Sequence, residues 1–200
     1  GFVHYVTKMV KKLAEPIERI QRAQYFFFTQ FKALKQAASA RGIQLMGDLP
    51  IYVAHDSADV WARRRDFRLD ARVGVPPDAF SATGQDWGLP VYRWDLMQQE
   101  DYPWVRERAR RMAELYGAYR VDHVVGLYRT YFFPNDGGAP AFVPAEEPAQ
   151  VRNGEAVLGV FSQRARVIAE DLGTVPDFVR ASLGRIGIPV TGISWNPHDF

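Results

Sequence analysis

From Ile17 to Arg41 the apolar residues Ile17, Ile20, Phe27, Phe31, Leu34 and Ala38 recur at three- and four-residue spacing, and Gly42 stands where a helix would stop. The spacing predicts a helix. IQLMGDLPIYV, 43–53, reads as a short strand running into a loop at Gly47 and Pro50, followed by a short helix capped by Asp56 or Ser57. Residues 66–101 are rich in Gly, Pro and Trp, too irregular for a helix and too aromatic for disorder, and predict a long ordered surface excursion. Pro103 opens a helix whose apolar face is Val105, Ala109, Met112 and Tyr116. YRVDHVVGLYR, 119–129, reads as a buried strand on the strength of Val121, Val124, Val125 and Leu127. After a loop over 134–150, a helical pattern around Val157, Val160 and Phe161 leads to the apolar run of RVIAEDLG, 166–173. A helix from near Pro176 to Gly187 and a last strand in PVTGISW complete the pattern.

Helices and strands alternate, which predicts an α/β fold with a parallel sheet and crossover helices. Three successive strands end in carboxylates, Asp48, Asp122 and Glu170, the positions where a (β/α)8 barrel collects its chemistry. A doubly wound sheet would show a glycine-rich first turn, and the sequence has neither GxGxxG nor GxxxxGK[ST]. Four strands are countable where a closed TIM barrel has eight. The expectation is therefore the central part of a barrel, about four βα units with a long loop-rich insertion. Residues 1–200 form part of one catalytic domain on this reading, with 66–101 as an ordered excursion along the substrate groove. Gly1 is not a natural start residue, so the true N-terminus is expected to be missing, and the count of four strands makes the chain an expected fragment.

Composition narrows the chemistry. A net charge of +2 with 24% charged residues is too balanced for a nucleic-acid surface or a membrane patch, and neither partner is expected. The run RERARR, 106–111, mixes acid into base on the polar side of a helix and reads as a solvated face. With no cysteine, the chain can build no disulfide, thiolate zinc site or cysteine nucleophile, which suits a reducing compartment; the expected location is the cytoplasm. The start of the chain lacks signal-peptide features, and no stretch of about 18 uncharged apolar residues occurs. All five lysines fall at or before Lys35, so the later motifs have no lysine base.

Arg120 and Asp122, two residues apart, share one face of a strand. A cation there is expected to hold Asp122 ionised, since it lowers a carboxylate pKa by roughly 1–3 units. Alone, the pair reads first as a structural ion pair, and it is the context that favours the functional reading. Glu170 follows Val167, Ile168 and Ala169, an apolar setting that favours the protonated, acid form of a carboxyl. Asp171 fits better the acid that satisfies backbone N–H groups at a helix N-terminus. Two carboxylates in opposed environments suit glycosidic cleavage by a retaining route. Three carboxylates on neighbouring strands also suit a magnesium ion for enolisation, but that chemistry wants a lysine or histidine base, and His123 should face away from Asp122 on a regular strand. No cofactor or metal is expected. His4, His55 and His198 show no ligand spacing, and no GxSxG elbow is present. Trp61 and Trp104 sit at helical spacing and are expected in the core. Trp87, between glycines in GQDWGLP, is expected to offer a flat face on which sugar C–H groups stack.

GDLPIYVAHDSADVWA, VPPDAFSATGQDWGLPVYRWD, YRVDHVVGLYR and IAEDLG occur in that order, and together they resemble the 4-α-glucanotransferases known as amylomaltase or disproportionating enzyme, glycoside hydrolase family 77 of the α-amylase clan. QYFFFTQFKALKQAASARGI resembles the family's helix before the first of these strands. The resemblance implies a (β/α)8 barrel that moves α-1,4-glucan segments between maltooligosaccharide donor and acceptor without a cofactor. It implies Asp122 as nucleophile, Glu170 as acid/base and Arg120 as support for Asp122. Asp48 would help hold the reacting sugar, Trp87 would line the groove, and His123 and Asp171, beside the two acids in their motifs, would bind substrate or support them. The family's third carboxylate belongs to a His-Asp pair on a later strand. His198 and Asp199 follow Glu170 too closely and lack the motif around that pair, so that role is expected beyond Phe200 and the isolated fragment is expected to be inactive. The remaining rivals are a metal-dependent barrel enzyme of the enolase type and a non-catalytic glucan-binding relative.

Overall fold

The computed structural model describes residues 2–77 and 81–191, in two compact units, Gly1–Leu45 and Met46–Phe200. His198, Asp199 and the end of the predicted last strand lie outside the described residues.

The first unit is helical, α1 (Phe2–Lys12) and α2 (Ala14–Ser39), and Gly42, at φ +72, ends the run as its position predicts. The apolar face read from the sequence is not buried here. Ile20, Phe27 and Leu34 are more than half exposed, and α2 has no buried residue.

The second unit holds two four-stranded sheets. In chain order its elements are β1 (Met46–Leu49), α3 (Ala58–Ala62), β2 (Phe67–Val75), β3 (Gln85–Tyr92), α4 (Trp94–Gln99), α5 (Pro103–Leu115), β4 (Ala118–Val121), α6 (Val125–Tyr128), β5 (Thr130–Pro134), β6 (Ala141–Val143), α7 (Glu147–Ser162), β7 (Arg166–Glu170), α8 (Asp177–Arg185) and β8 (Val190–Thr191). One sheet runs β1-β4-β7-β8, all parallel; the other runs β3-β2-β5-β6, all antiparallel.

The parallel sheet is the expected one, and its register organises the molecule. Leu49, Tyr119, Val121, Val167 and Ala169 share one face and are almost wholly buried. Val105 and Ala109 of α5 and Val157, Leu158 and Phe161 of α7 belong to the same core, and the Tyr119 hydroxyl donates to the Phe161 carbonyl at 2.6 Å. Burying this much apolar surface is what holds the strands level. The other face carries Met46, Asp48, Arg120, Ile168 and Glu170, all partly exposed.

The antiparallel sheet corrects the sequence reading. The supposed loop-rich insertion over 66–101 contains the hairpin β2–β3, and the loop predicted after residue 134 contains β6. Ala71, Val73, Val91 and Tyr92 are buried to 1% exposure or less, so this segment is core as well as surface. The hairpins β2–β3 and β5–β6 come from two different crossovers of the parallel sheet and join through β2 and β5. A register shift between Val73 and Gly74 hid the alternation that marks a strand. The predicted buried strand 119–129 is also corrected: it stops at Val121, and Val125–Tyr128 form the helical turn α6. Trp104 is in the core, but Trp61 is 83% exposed. Of the two predicted caps, Ser57 caps α3, its hydroxyl accepting from the Val60 N–H at 3.3 Å.

Candidate active site

Strand register places the charged residues. Asp48 lies opposite Arg120, and Val121 opposite Ala169, so Asp122 and Glu170, one residue further on, stand side by side where β4 and β7 end. Arg120 bridges all three acids. It donates to Asp48 through Nε at 2.9 Å and Nη2 at 2.7 Å, to Glu170 Oε1 through Nη1 at 3.0 Å, and to Asp122 Oδ1 through Nη2 at 3.2 Å. The paired fork goes to Asp48, the strongest geometry a guanidinium offers a carboxylate, and the Asp48 bond is the main reason the Arg120 pKa rises.

His123 is where the strand breaks. Its φ of 47 is left-handed, a conformation that costs a β-rich segment about 1–3 kcal/mol and that histidine adopts more readily than most residues. The turn points the His123 N–H at Glu170 Oε2, 2.5 Å away, while the Asp122 N–H still reaches the Leu49 carbonyl at 3.1 Å. It also overturns the expectation that His123 faces away from Asp122. The imidazole lines the same cavity as Asp122 and Glu170, with its ring 4.9 Å from Trp87 and 6.4 Å from Tyr52. Burial pushes the His123 pKa down to about 4, against a smaller opposing pull from the Glu170 charge. The ring is thus neutral around pH 6–7.

A second expectation is reversed by the electrostatics. Arg120 was expected to hold Asp122 ionised, yet its carboxyl is pushed up to about 6. Partial burial is the largest cause, followed by the hydrogen bond with Glu170 and the negative charge of Glu170, which together outweigh the attraction of Arg120. Arg120 does not prevail because its best bonds are made to Asp48.

Trp87 sits on β3 beside this centre. Its indole N–H donates to Gln85 Oε1 at 3.0 Å, and Gly88, at φ +66, donates its N–H to Asp86 Oδ1 at 2.9 Å, with Arg72 held by the other Asp86 oxygen at 2.8 Å. Asp171 does not cap a helix by its carboxylate as expected. It accepts from Arg180 Nε at 2.8 Å and Nη2 at 3.1 Å, tying the end of β7 to α8. Asp48 is a neighbour of the cavity through Arg120, not part of its lining.

The cavity measures about 620 Å³, within the ~300–1,000 Å³ usual for small-molecule sites. Besides Trp87, Asp122, His123 and Glu170 it is lined by Gln85, Arg129, Tyr131 and Phe142, none of which the sequence reading singled out. TYFFP, aromatic β-formers closed by a proline, was the available strand signal for Tyr131. Among the described residues no group of three His, Asp or Glu side chains is arranged to hold a metal ion. Asp48, Asp122 and Glu170 already share a cation, the Arg120 guanidinium.

A family model described as 4-alpha-glucanotransferase, glycoside hydrolase family 77, matches residues 4–199 of this chain. The chain is 35% identical over 191 residues to the 4-alpha-glucanotransferase of Chlamydia muridarum, covering 94% of this chain and 36% of that protein. It is 39% identical over 191 residues to the 4-alpha-glucanotransferase of Thermus thermophilus, covering 88% of this chain and 36% of that one. The solved amylomaltase of Streptococcus agalactiae in complex with acarbose superposes with a TM-score of 0.80 at 33% identity, over 94% of this chain and 39% of the other. The chain thus spans a little over a third of the length of these relatives.

Proposed function

This chain belongs to the glycoside hydrolase 77 family of 4-alpha-glucanotransferases, and from that premise we propose that it is the part of such an enzyme that makes and breaks the glycosidic bond. The single observation that carries the reading is the meeting of Asp122 and Glu170 at the ends of adjacent parallel strands, in one cavity, with Arg120 between them and Asp48.

On this reading Glu170 protonates the glycosidic oxygen while an Asp122 carboxylate oxygen attacks the anomeric carbon. The C–O bond breaks, and a β-glucosyl ester forms on Asp122 as the first glucan segment leaves. Glu170, now a carboxylate, takes the proton of an incoming sugar 4-hydroxyl, that oxygen attacks the same carbon, and Asp122 departs with the α-linkage restored. Retaining pairs work with their carboxyls roughly 5–5.5 Å apart. Asp122 and Glu170 end adjacent strands and line one cavity, the placement that lets two carboxyls address a single sugar ring. Before attack Asp122 has to lose its proton and Glu170 has to carry one, and the Arg120 guanidinium beside Asp122 favours the charged carboxylate a nucleophile needs. The neutral His123 ring then offers one donor to the sugar, and Trp87, whose N–H is held by Gln85, an apolar face. The substrates proposed are α-1,4-glucan and maltooligosaccharide donors and acceptors, with no cofactor.

We read the four parallel strands as part of a (β/α)8 barrel. Their order in the sheet follows their order in the chain without a switch point, and all-parallel sheets are normally covered on both faces, whereas the face of Asp48, Arg120 and Ile168 is left partly open. Among the described residues no helix is long and apolar enough to cross a membrane. A cytoplasmic location is proposed on the separate ground that a cysteine-free chain suits a reducing compartment.

In the intact enzyme, D122N is expected to lower disproportionation of maltotriose by at least about 10³-fold while leaving glucan binding in place. Chromatographic analysis of product lengths checks it. Turnover within tenfold of wild type removes Asp122 from the nucleophile role.

A further inference from the structure

The cavity has a wall that the reaction above does not use. Arg129 follows α6 directly and lines the cavity together with Tyr131 of β5 and Phe142 of β6. Its guanidinium carbon lies 4.2 Å from the Phe142 ring centroid, and the Tyr131 and Phe142 rings pack at 5.0 Å. Among the described residues this guanidinium makes no ion pair, and its Nε is buried without a hydrogen-bond partner. Burial lowers its pKa. Two other arginines show what is missing. Arg120 satisfies three acids, and Arg68, stacked over Phe132 on the same sheet, has Asp70 at 3.5 Å.

Stacking on a ring uses the flat face of a guanidinium and leaves its in-plane N–H donors free. The unpaired Nε is itself enclosed, so the donors that a cavity ligand can reach are those of the two Nη atoms, which have no hydrogen-bond partner among the described residues. A pyranose supplies both complements, hydroxyl oxygens for the in-plane donors and a C–H face for the neighbouring rings. The cavity is also larger than the single ring held between Asp122 and Glu170 requires. We propose that Arg129, with the rings of Tyr131 and Phe142, binds a glucosyl unit away from the bond being cut, and so sets the preference for longer glucans. This rests on the glucan reading given above.

The test uses the intact enzyme with R129M and R129K, assayed on maltotriose and maltoheptaose, with thermal melts run alongside. Methionine keeps an apolar chain over Phe142 but has no donors; lysine keeps the charge but loses the planar fork. The expected result is a KM for maltoheptaose raised roughly tenfold in R129M and by about threefold in R129K, with a smaller change for maltotriose and kcat within about twofold. An unchanged maltoheptaose KM in R129M makes Arg129 a packing residue and overturns the inference, as does a loss confined to kcat. If R129M does not fold, R129K carries the test, and wild-type KM values in it overturn the inference. Inhibition by inorganic phosphate that disappears in R129M while KM stays fixed would mark an anion site and overturn it too. A wild-type enzyme that transfers glucan but is indifferent to R129M sinks this inference alone. A wild-type enzyme with no transfer from either sugar sinks the functional reading, and this inference with it.

Discussion

The parallel and antiparallel sheets of the second unit line the same cavity and bring different materials to it. The parallel sheet contributes charge, with Asp122 and Glu170 at its edge and Arg120 behind them, on strands whose opposite face is buried against α5 and α7. The antiparallel sheet contributes Gln85, Trp87, Tyr131 and Phe142, on hairpins inserted into two crossovers. A ladder held by a core on one side places carboxyls to within fractions of an ångström, which bond chemistry requires. Inserted strands can change length and side chains without moving that ladder, which suits recognition. Fixed charge lies on one sheet and ring surface on the other, and on the proposed reading this divides chemistry from substrate choice.

The sharpest way to break the comparison remains D122N, which should strike turnover and spare binding. Next in size is damage to the antiparallel sheet itself. A Cβ added at Gly74 would lie 2.1 Å from the Gln85 carbonyl oxygen and 2.5 Å from the Phe133 ring, so G74A must push β3 off β2. Overpacking of this kind costs about 1–3 kcal/mol, and each kcal/mol lowers Tm by about 2–4 °C in a chain of this size. A calorimetric Tm within 1 °C of wild type would show the bulge to be softer than its contacts suggest. Third is W87L, which removes a ring face while keeping apolar bulk. It should raise KM by about three- to tenfold with kcat nearly unchanged, and steady-state kinetics on maltoheptaose reads it. A collapse of kcat instead would place Trp87 among the chemical groups.

The smallest effect is on the pH dependence of stability, where the two neighbours at the end of β4 act with opposite signs. The folded state raises the Asp122 pKa from 3.8 to about 6, so the stability it lends is present at low pH and lost as pH rises through that window. The folded state lowers the His123 pKa from 6.5 to about 4, so its contribution is present above pH 6.5 and lost as pH falls toward 4. The two slopes oppose each other between pH 4 and 6. D122N removes the first, so the stability difference between D122N and wild type should shift in favour of the variant from pH 4 to pH 7, as followed by urea unfolding. A constant difference would mean that Asp122 is no more readily protonated in the fold than in the unfolded chain. The same raised pKa predicts that kcat/KM falls below about pH 6, where the proposed nucleophile is protonated.

Much of this was legible in the amino-acid order. Period-three and period-four spacing marked α2, α5, α7 and α8, and short apolar runs ending in acid marked β1, β4 and β7. Local pattern was enough for β1, β4, β7, α5, α7 and α8 because each buries one regular face, whereas α2 was legible from spacing alone and has no buried residue. It failed for β2, β3 and β6, where a register shift, glycines and prolines interrupt the alternation and the partner strand lies in a different crossover. It failed again at His123, since Val124, Val125 and Leu127 favour a strand locally while a left-handed residue and the core around α6 impose a turn.

What the sequence determined by itself was the family, the alternation of helix and strand, and which acids end neighbouring strands, because these depend on residue type and on spacing along the chain. Only the tertiary structure decided how charge is shared among those acids. The guanidinium of Arg120 is spent mainly on Asp48, Asp122 is left against Glu170, and the His123 ring turns into the cavity. Each of these depends on distance and burial between residues far apart in the chain, and electrostatic energy follows distance and dielectric surroundings, which sequence order does not specify.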